Sequence, residues 1–405
     1  MGAITVFSAA SPVRADEAKP LFRATFDACY RTPALASLDG GVLIAVVEKR
    51  YGYPDLVAAA AKKSDLHHKI ARCSDSGSID LVARLSSDGG KTWSPERTIV
   101  DHRDLLAPNF SKALAGNPTL VRRGGEILLL FSVNRSVSGE NSVRCVRFGQ
   151  KDRQHCDAQA DHALYITRSG DGGATWAKPE IMNFPGKSTR LKQPGPGHGL
   201  TLESGRIVVP AYPKLLLSDD DGRTWREGAT TQGRDTELQG GETVIGSLGG
   251  NRIWASLRPR GAAFVERGDG RPYRIQAVSA DGGETYETVT TDERLSIPPL
   301  QPGLSIAGDT WVMTHPVSDN PTNGRAKSRD RKDMTLSVSQ DSGRTWSSCL
   351  IDPKAAGYSD LAKIAPKLLG MLYEGAVEPG ENYRAAVNFR TLPIDRYRDV
   401  CVVDR

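Results

Sequence analysis

Two sets of side chains in this chain could do chemistry: six cysteines, and a scatter of arginines, carboxylates and tyrosines set in short distinctive segments. The cysteines are Cys29, Cys73, Cys145, Cys156, Cys349 and Cys401. They show no zinc spacing and no CxxC pair, so neither a structural zinc site nor a dithiol redox centre is indicated. Cys145 and Cys156 flank a polar loop, placed either to pair in an oxidising compartment or to stay as thiols, and the compartment stays open. The arginines stand in Tyr30-Arg31-Thr32-Pro33-Ala34-Leu35, Ala45-Val46-Val47-Glu48-Lys49-Arg50, Trp254-Ala255-Ser256-Leu257-Arg258 and Ser328-Arg329-Asp330-Arg331-Lys332. A guanidinium is always charged and its fork matches a carboxylate, so converging arginines make an anion site. Asp75, Glu242 and Tyr358 are of the types that move protons or attack electrophiles. Singly, each has a plainer reading: a solvated arginine, an exposed carboxylate, a core tyrosine.

Whatever positions these residues must be repetitive. One octapeptide, S-x-D-x-G-x-T-(W/Y), occurs five times, beginning at Ser86, Ser169, Ser218, Ser279 and Ser339. The intervals are 83, 49, 61 and 60 residues. Runs of alternating apolar residues, such as Leu81 to Leu85 and Met334 to Val338, precede the boxes and predict β-strands. Within each box the aspartate can accept from nearby backbone N–H groups, the fifth-position glycine supplies a positive φ, and the closing aromatic pins the turn. Each copy is thus a strand–turn–strand unit. Five units at this spacing predict radial repetition: an all-β, six-bladed propeller whose last sheet closes by pairing N- and C-terminal strands.

The totals agree. The 405 residues are 39% hydrophobic and 25% charged, with 41 Gly and 24 Pro, which fits a turn-rich globular chain. No apolar run of membrane-spanning length occurs. A net charge of +5 of mixed signs falls short of a nucleic-acid signature. Residues 1–25 read as an N-terminal lead or closing strand, with Ile4 to Ala10 as an unstructured start or the tail of a secretory signal. Residues 26–405 read as one propeller domain. The location expected is secreted or periplasmic, with the cytoplasm as alternative.

The boxes resemble the Asp boxes of sialidases, and the resemblance extends to the segments above. Tyr30 to Leu35 is similar to the (F/Y)-R-I-P-A-L motif that opens sialidase propellers, with Thr32 where the family has Ile, a change expected to touch packing and not charge. The resemblance makes Arg31 the first of three arginines gripping a sugar carboxylate and places Arg50 near the glycosidic region. It implies an acid/base eleven residues before the first box, which is Asp75, with Asp80 as a structural competitor. It pairs Glu242 with Arg258, sixteen residues on, with Glu237 and Arg260 as runners-up. The third arginine falls eight residues before the fifth box at Arg331, with Arg329 competing. Gly357-Tyr358-Ser359-Asp360-Leu361 is similar to the family segment whose tyrosine is the nucleophile, and Glu374 to the glutamate that orients the first arginine. Gln193 to Tyr212 resembles a G-P-G-H-G segment in which His198 shapes a loop.

The resemblance implies an exo-sialidase with no cofactor and no metal, acting as a monomer on sialylated glycans or on glycans bearing related ulosonic acids. Sialidases depart from the carboxylate nucleophile of most retaining glycosidases. The physical reason is that a carboxylate attacking beside the substrate's own carboxylate meets like-charge repulsion, whereas a tyrosine is neutral until a base takes its proton. Two other readings stay open: a Kdn- or Kdo-type hydrolase of the same fold, and a non-catalytic glycan-binding propeller. The long polar stretch from Arg135 to Asp161 is either a rim over the substrate or a surface insertion.

Overall fold

Period-two patterning gives strands here, and each predicted run before a box is one. The computed structural model describes residues 18–51, 73, 77–107, 110, 112–136, 162–186, 193–212, 214–231, 240–259, 273–317, 331–398 and 401–403. The strands Ile79–Ser86, His162–Ser169, Lys214–Ser218, Tyr273–Ser279 and Lys332–Ser339 all end on the serine of a box. In the first copy Ser86 Oγ donates to Asp88 at 2.8 Å and accepts from Gly90 N at 2.8 Å. Asp88 then accepts from Thr92 N at 2.9 Å and from the Thr92 hydroxyl at 2.6 Å. Trp93 Nε1 closes the turn on the Gly90 carbonyl at 3.1 Å. Gly90 has φ +88°, and a Cβ there would run into the Phe389 ring, so glycine is required twice over. The fifth copy departs from this pattern: Arg294 donates to the Gly343 carbonyl, and Trp346 Nε1 is buried without a hydrogen-bond partner.

The strands follow one another as antiparallel meanders. The first is Cys29–Ser37, Leu43–Arg50, Ile79–Ser86 and Arg97–Val100. The second is Lys112–Arg123, Glu126–Ser136, His162–Ser169 and Glu180–Ile181. The third joins Leu200–Thr201, Ile207–Tyr212, Lys214–Ser218 and Arg226–Thr230. The fourth is Gly240–Ser247, Ile253–Pro259, Tyr273–Ser279 and Thr288–Ser296. Gly303–Ala307, Thr310–Val317 and Lys332–Ser339 pair onward to the first half of the long strand Ser347–Ala365. The second half of that strand pairs with Leu368–Gly375, which pairs with Ala386–Pro393. Lys19–Arg23 completes this last sheet, Lys19 opposite Phe389. Closure by N- and C-terminal strands is therefore present, and it uses a strand inside the span read as a lead.

The cores lie between successive meanders and not within them. Val121, Leu128 and Leu130 of the second pack on Ile207, Val209 and Trp225 of the third. Leu21, Leu372 and Phe389 of the last pack on Tyr30, Leu43 and Val47 of the first. Burying one such side chain stabilises by about 1.5–3 kcal/mol, so each meander depends on both neighbours. The leading strands touch in cyclic order, the second half of Ser347–Ala365 meeting Cys29–Ser37.

Among the described residues the cysteines form Cys29–Cys73 and Cys349–Cys401 disulfides. Cys145, Cys156, Ile4 to Ala10 and most of the Arg135 to Asp161 stretch lie outside the described residues. No helix among the described residues is long and apolar enough to cross a membrane.

Candidate active site

The first strand carries Arg31 at a register shift between Arg31 and Ala34, where Thr32 adopts a φ of 60°. A non-glycine residue in that region is held only where its surroundings fix it. The fixing group is Glu374, fully buried on Leu368–Gly375. Its Oε1 accepts from Arg31 Nε at 2.6 Å and from Thr32 N at 2.9 Å, and its Oε2 accepts from Tyr358 N at 3.2 Å. Glu374 thus ties the Arg31 guanidinium to the backbones of Thr32 and Tyr358. Gly357 makes room for this, since a Cβ there would strike the Glu374 carboxylate.

Tyr358, half-buried, donates its hydroxyl to Glu242 Oε1 at 2.7 Å and Oε2 at 2.8 Å. Arg258 Nη1 donates to Glu242 Oε2 at 3.0 Å and reaches the Tyr358 hydroxyl at 3.4 Å. Burial pushes the Glu242 carboxyl up, but Arg258, the Tyr358 hydroxyl and Arg331 outweigh it and hold the group below its ordinary range. Burial and the neighbouring Glu242 push the Tyr358 hydroxyl well above its ordinary value, against the pull of Arg258 and Arg331. In the resting site the carboxylate is charged and the phenol is neutral.

Arg331, largely buried, donates to the Pro299 carbonyl at 2.7 Å and sits 5.6 Å from the Tyr358 ring centroid. Arg31 sits 5.7 Å from the same ring. Arg31, Arg258, Arg331, Glu242, Tyr358 and Glu374 therefore come together. Arg50 lies one step deeper, its Nε donating to Glu48 at 2.7 Å and its Nη2 to Thr32 Oγ1 at 3.2 Å. Thr32 adds no charge, but its hydroxyl links the first arginine segment to the second.

Asp75 lies outside the described residues, as do Glu237, Arg260 and Arg329. The frame around Asp75 is described: Cys73 is bonded to Cys29, the Cys73 carbonyl accepts from Arg50 Nη1 at 3.3 Å, and Tyr51 N donates to Ser78 O at 3.1 Å. Asp80 is occupied elsewhere. It is buried and accepts from the Tyr51 hydroxyl at 2.6 Å and from His102 N at 2.7 Å. Asp80, Asp101 and His102 lie close enough to share a cation. Asp101 is bound by Arg103, however, and Asp80 by Tyr51 and His102, so these donors are already engaged.

Three further features surround these residues; of them, only His198 stands in a segment recognised from the sequence. Arg274 is fully buried behind Glu242. Its Nε donates to Ser256 Oγ at 2.6 Å, its Nη1 to Leu300 O at 2.9 Å, and its Nη2 to Ser256 O at 2.8 Å and Glu242 O at 3.5 Å. Burial brings its pKa down to about 9. His198 meets Asp360 at 2.7 Å, and the other Asp360 oxygen accepts from Leu35 N at 2.8 Å. His198 is thereby tied to the strand that carries Tyr358. Tyr383 is buried beside Arg31 and Arg331.

The family described as a BNR repeat-like domain matches residues 70–367. A sialidase of Micromonospora viridifaciens is 27% identical over 388 residues, covering 88% of this chain and 51% of the relative. The chain spans about half the length of the curated relatives it matches. A Hadza microbial sialidase structure aligns with a TM-score of 0.66 at 20% identity, covering 91% of this chain and 66% of that one. The intramolecular trans-sialidase from Ruminococcus gnavus, in complex with oseltamivir carboxylate, aligns with a TM-score of 0.65 at 16% identity, covering 95% and 99%. The β-propeller-like fold expected from the boxes is the one this chain shares with those structures.

Proposed function

Because the chain belongs to the bacterial-type sialidase family, built on a BNR repeat-like domain, we propose that it is a retaining exo-sialidase releasing terminal alpha-linked sialic acids from glycans. Its six meanders are then six blades, and the site lies where their leading strands meet. One observation carries the reading: the Tyr358 hydroxyl is held on Glu242 inside a group of three arginines.

In this mechanism Arg31, Arg258 and Arg331 bind the carboxylate on the anomeric carbon. The Tyr358 oxygen attacks that carbon while its proton passes to Glu242. Asp75 protonates the departing glycosidic oxygen as its bond to carbon breaks. In the second half Asp75 takes a proton from water, the water oxygen bonds to the anomeric carbon, and Tyr358 leaves, recovering its proton from Glu242. Two displacements retain configuration. The raised pKa of Tyr358 and lowered pKa of Glu242 make proton transfer unfavourable before attack, so it accompanies bond formation.

The test is release of 4-methylumbelliferone from its glycosides of N-acetylneuraminic acid, Kdn and Kdo. Release from the first supports the proposal. Preference for the second or third keeps the mechanism and moves the substrate to a related ulosonic acid. A folded protein that releases none overturns the hydrolase reading in favour of a binding propeller. Two disulfides support an oxidising, secreted or periplasmic location, which cell fractionation tests. We further propose that the protein works as a monomer, to be checked by light scattering.

A further inference from the structure

We propose that Tyr383 is a positioning residue of the carboxylate clamp, its ring holding Arg31 and Arg331 ready for the anion; this rests on the sialidase reading above. Arginines gathered for one carboxylate repel each other while the site is empty. Arg31 has Glu374 as a countercharge. Arg331 donates to the neutral Pro299 carbonyl, interacts with Glu242 through space, and faces two tyrosine rings, those of Tyr358 and Tyr383, each 5.6 Å away. Arg31 is 5.2 Å from the Tyr383 ring. The negative face of an aromatic ring attracts a guanidinium, more strongly where water is excluded. Of the two rings, Tyr358 changes charge and bonding during the reaction. Tyr383 does not react, so its ring offers both cations a constant counterweight.

The turn that bears Tyr383 is built to keep it still. Glu381 receives both Arg23 nitrogens, at 3.0 and 2.6 Å, and Arg384 N donates to the Asn382 side chain at 2.7 Å. The ring also lies against Gly357, where an added Cβ would meet it at 2.8 Å. Burial alone would raise the Tyr383 hydroxyl, yet Arg31, Arg331 and Arg384 bring it below its ordinary value, opposite to Tyr358. The difference arises because Tyr358 faces Glu242 and Tyr383 faces cations.

The experiment compares Tyr383→Leu and Tyr383→Phe in the full chain. It reads KM and kcat with the 4-methylumbelliferyl glycoside of N-acetylneuraminic acid, and Kd for the free sugar acid by calorimetry. Tyr383→Leu is expected to raise KM and Kd about tenfold while lowering kcat less than about threefold, and Tyr383→Phe to recover most of that affinity. A residue that merely fills space would lower the active fraction, cutting kcat with KM unmoved; that result overturns the proposal. So does Tyr383→Leu with wild-type Kd, or Tyr383→Phe as weak as Leu. Should the leucine variant fail to fold, pentafluorophenylalanine at 383 keeps the ring's shape but reverses its quadrupole. Weakened binding then supports the proposal and unchanged binding overturns it. Wild type that binds the free sugar acid without releasing it overturns the hydrolase reading and leaves the clamp comparison standing. Wild type that binds neither this acid nor Kdn nor Kdo overturns both.

Discussion

Tyr358 shares its hydroxyl proton between both oxygens of Glu242, at 2.7 and 2.8 Å, across 116 positions of chain. Such a contact sets the direction of proton flow before any substrate arrives. Tyr358→Phe removes the proposed nucleophile and leaves the arginines in place. We expect kcat to fall by about 10³-fold or more, with Kd for free N-acetylneuraminic acid within about threefold. Full turnover in Tyr358→Phe would sink the mechanism.

Glu242 should also leave a mark on stability. Its folded pKa lies below the ordinary 4.5, because Arg258, Tyr358 and Arg331 overcome burial. A lowered carboxylate contributes stability above its unfolded pKa and loses it as pH falls through the folded one. The unfolding free energy of wild type minus Glu242→Gln should therefore shrink below about pH 4.5. A difference that stays flat down to acid unfolding would contradict the assignment.

His198 gives the opposite slope. Burial alone would lower its pKa, but Asp360 raises it above 6.5. A raised histidine contributes its full stability below the unfolded pKa and loses it as pH rises through the folded one. Asp360→Asn should cost about 2–4 kcal/mol near pH 6, and less as pH passes through the raised value. Urea titrations at several pH values check this.

Arg274→Met removes a costly buried cation but orphans the Leu300 and Ser256 carbonyls and frees the Glu242 backbone. The orphaned acceptors should win, for a net loss of about 2 kcal/mol. A roughly tenfold lower kcat should accompany it, as Glu242 loosens. Wild-type kcat in a folded variant would mean that Glu242 is positioned without Arg274.

The Cys29–Cys73 bridge closes 44 positions of chain and ends two residues before Asp75. Replacing both cysteines with serine should cost about 3–4 kcal/mol by chain entropy. If the bridge frames the proposed acid, kcat should drop more than KM rises. Equal changes in the two would assign the bridge to stability alone.

The fold was legible because the box is local: Ser86 bonds Asp88 and Gly90, and Asp88 bonds Thr92, so eight letters contain the whole device. Arg331 was legible by its distance from the fifth box, Glu242 and Arg258 by their mutual spacing, and Arg31 and Tyr358 by the motifs that hold them. Other partnerships have no local trace. His198 and Asp360 are 162 positions apart, and Arg31 and Glu374 are 343 apart. Glu374 could be anticipated from the resemblance, but its grip on the Tyr358 backbone could not. Tyr383 stands outside every recognised segment, and its role emerges only when two arginines from distant strands arrive at its faces. Six cysteines allow fifteen full pairings, so spacing could not choose among them.

Lys19–Arg23 leaves the ribosome before every other described strand, and its partner Ala386–Pro393 emerges almost last. Through most of synthesis the early strand has no mate, and Phe22 and Leu21 lack the cover of Leu372, Val387 and Phe389. Local hairpins can form as the boxes appear, but this seam waits until Ala386–Pro393 has emerged. A nascent chain of this kind is long exposed to strand capture by other chains. Its escape depends on how fast these two strands find each other.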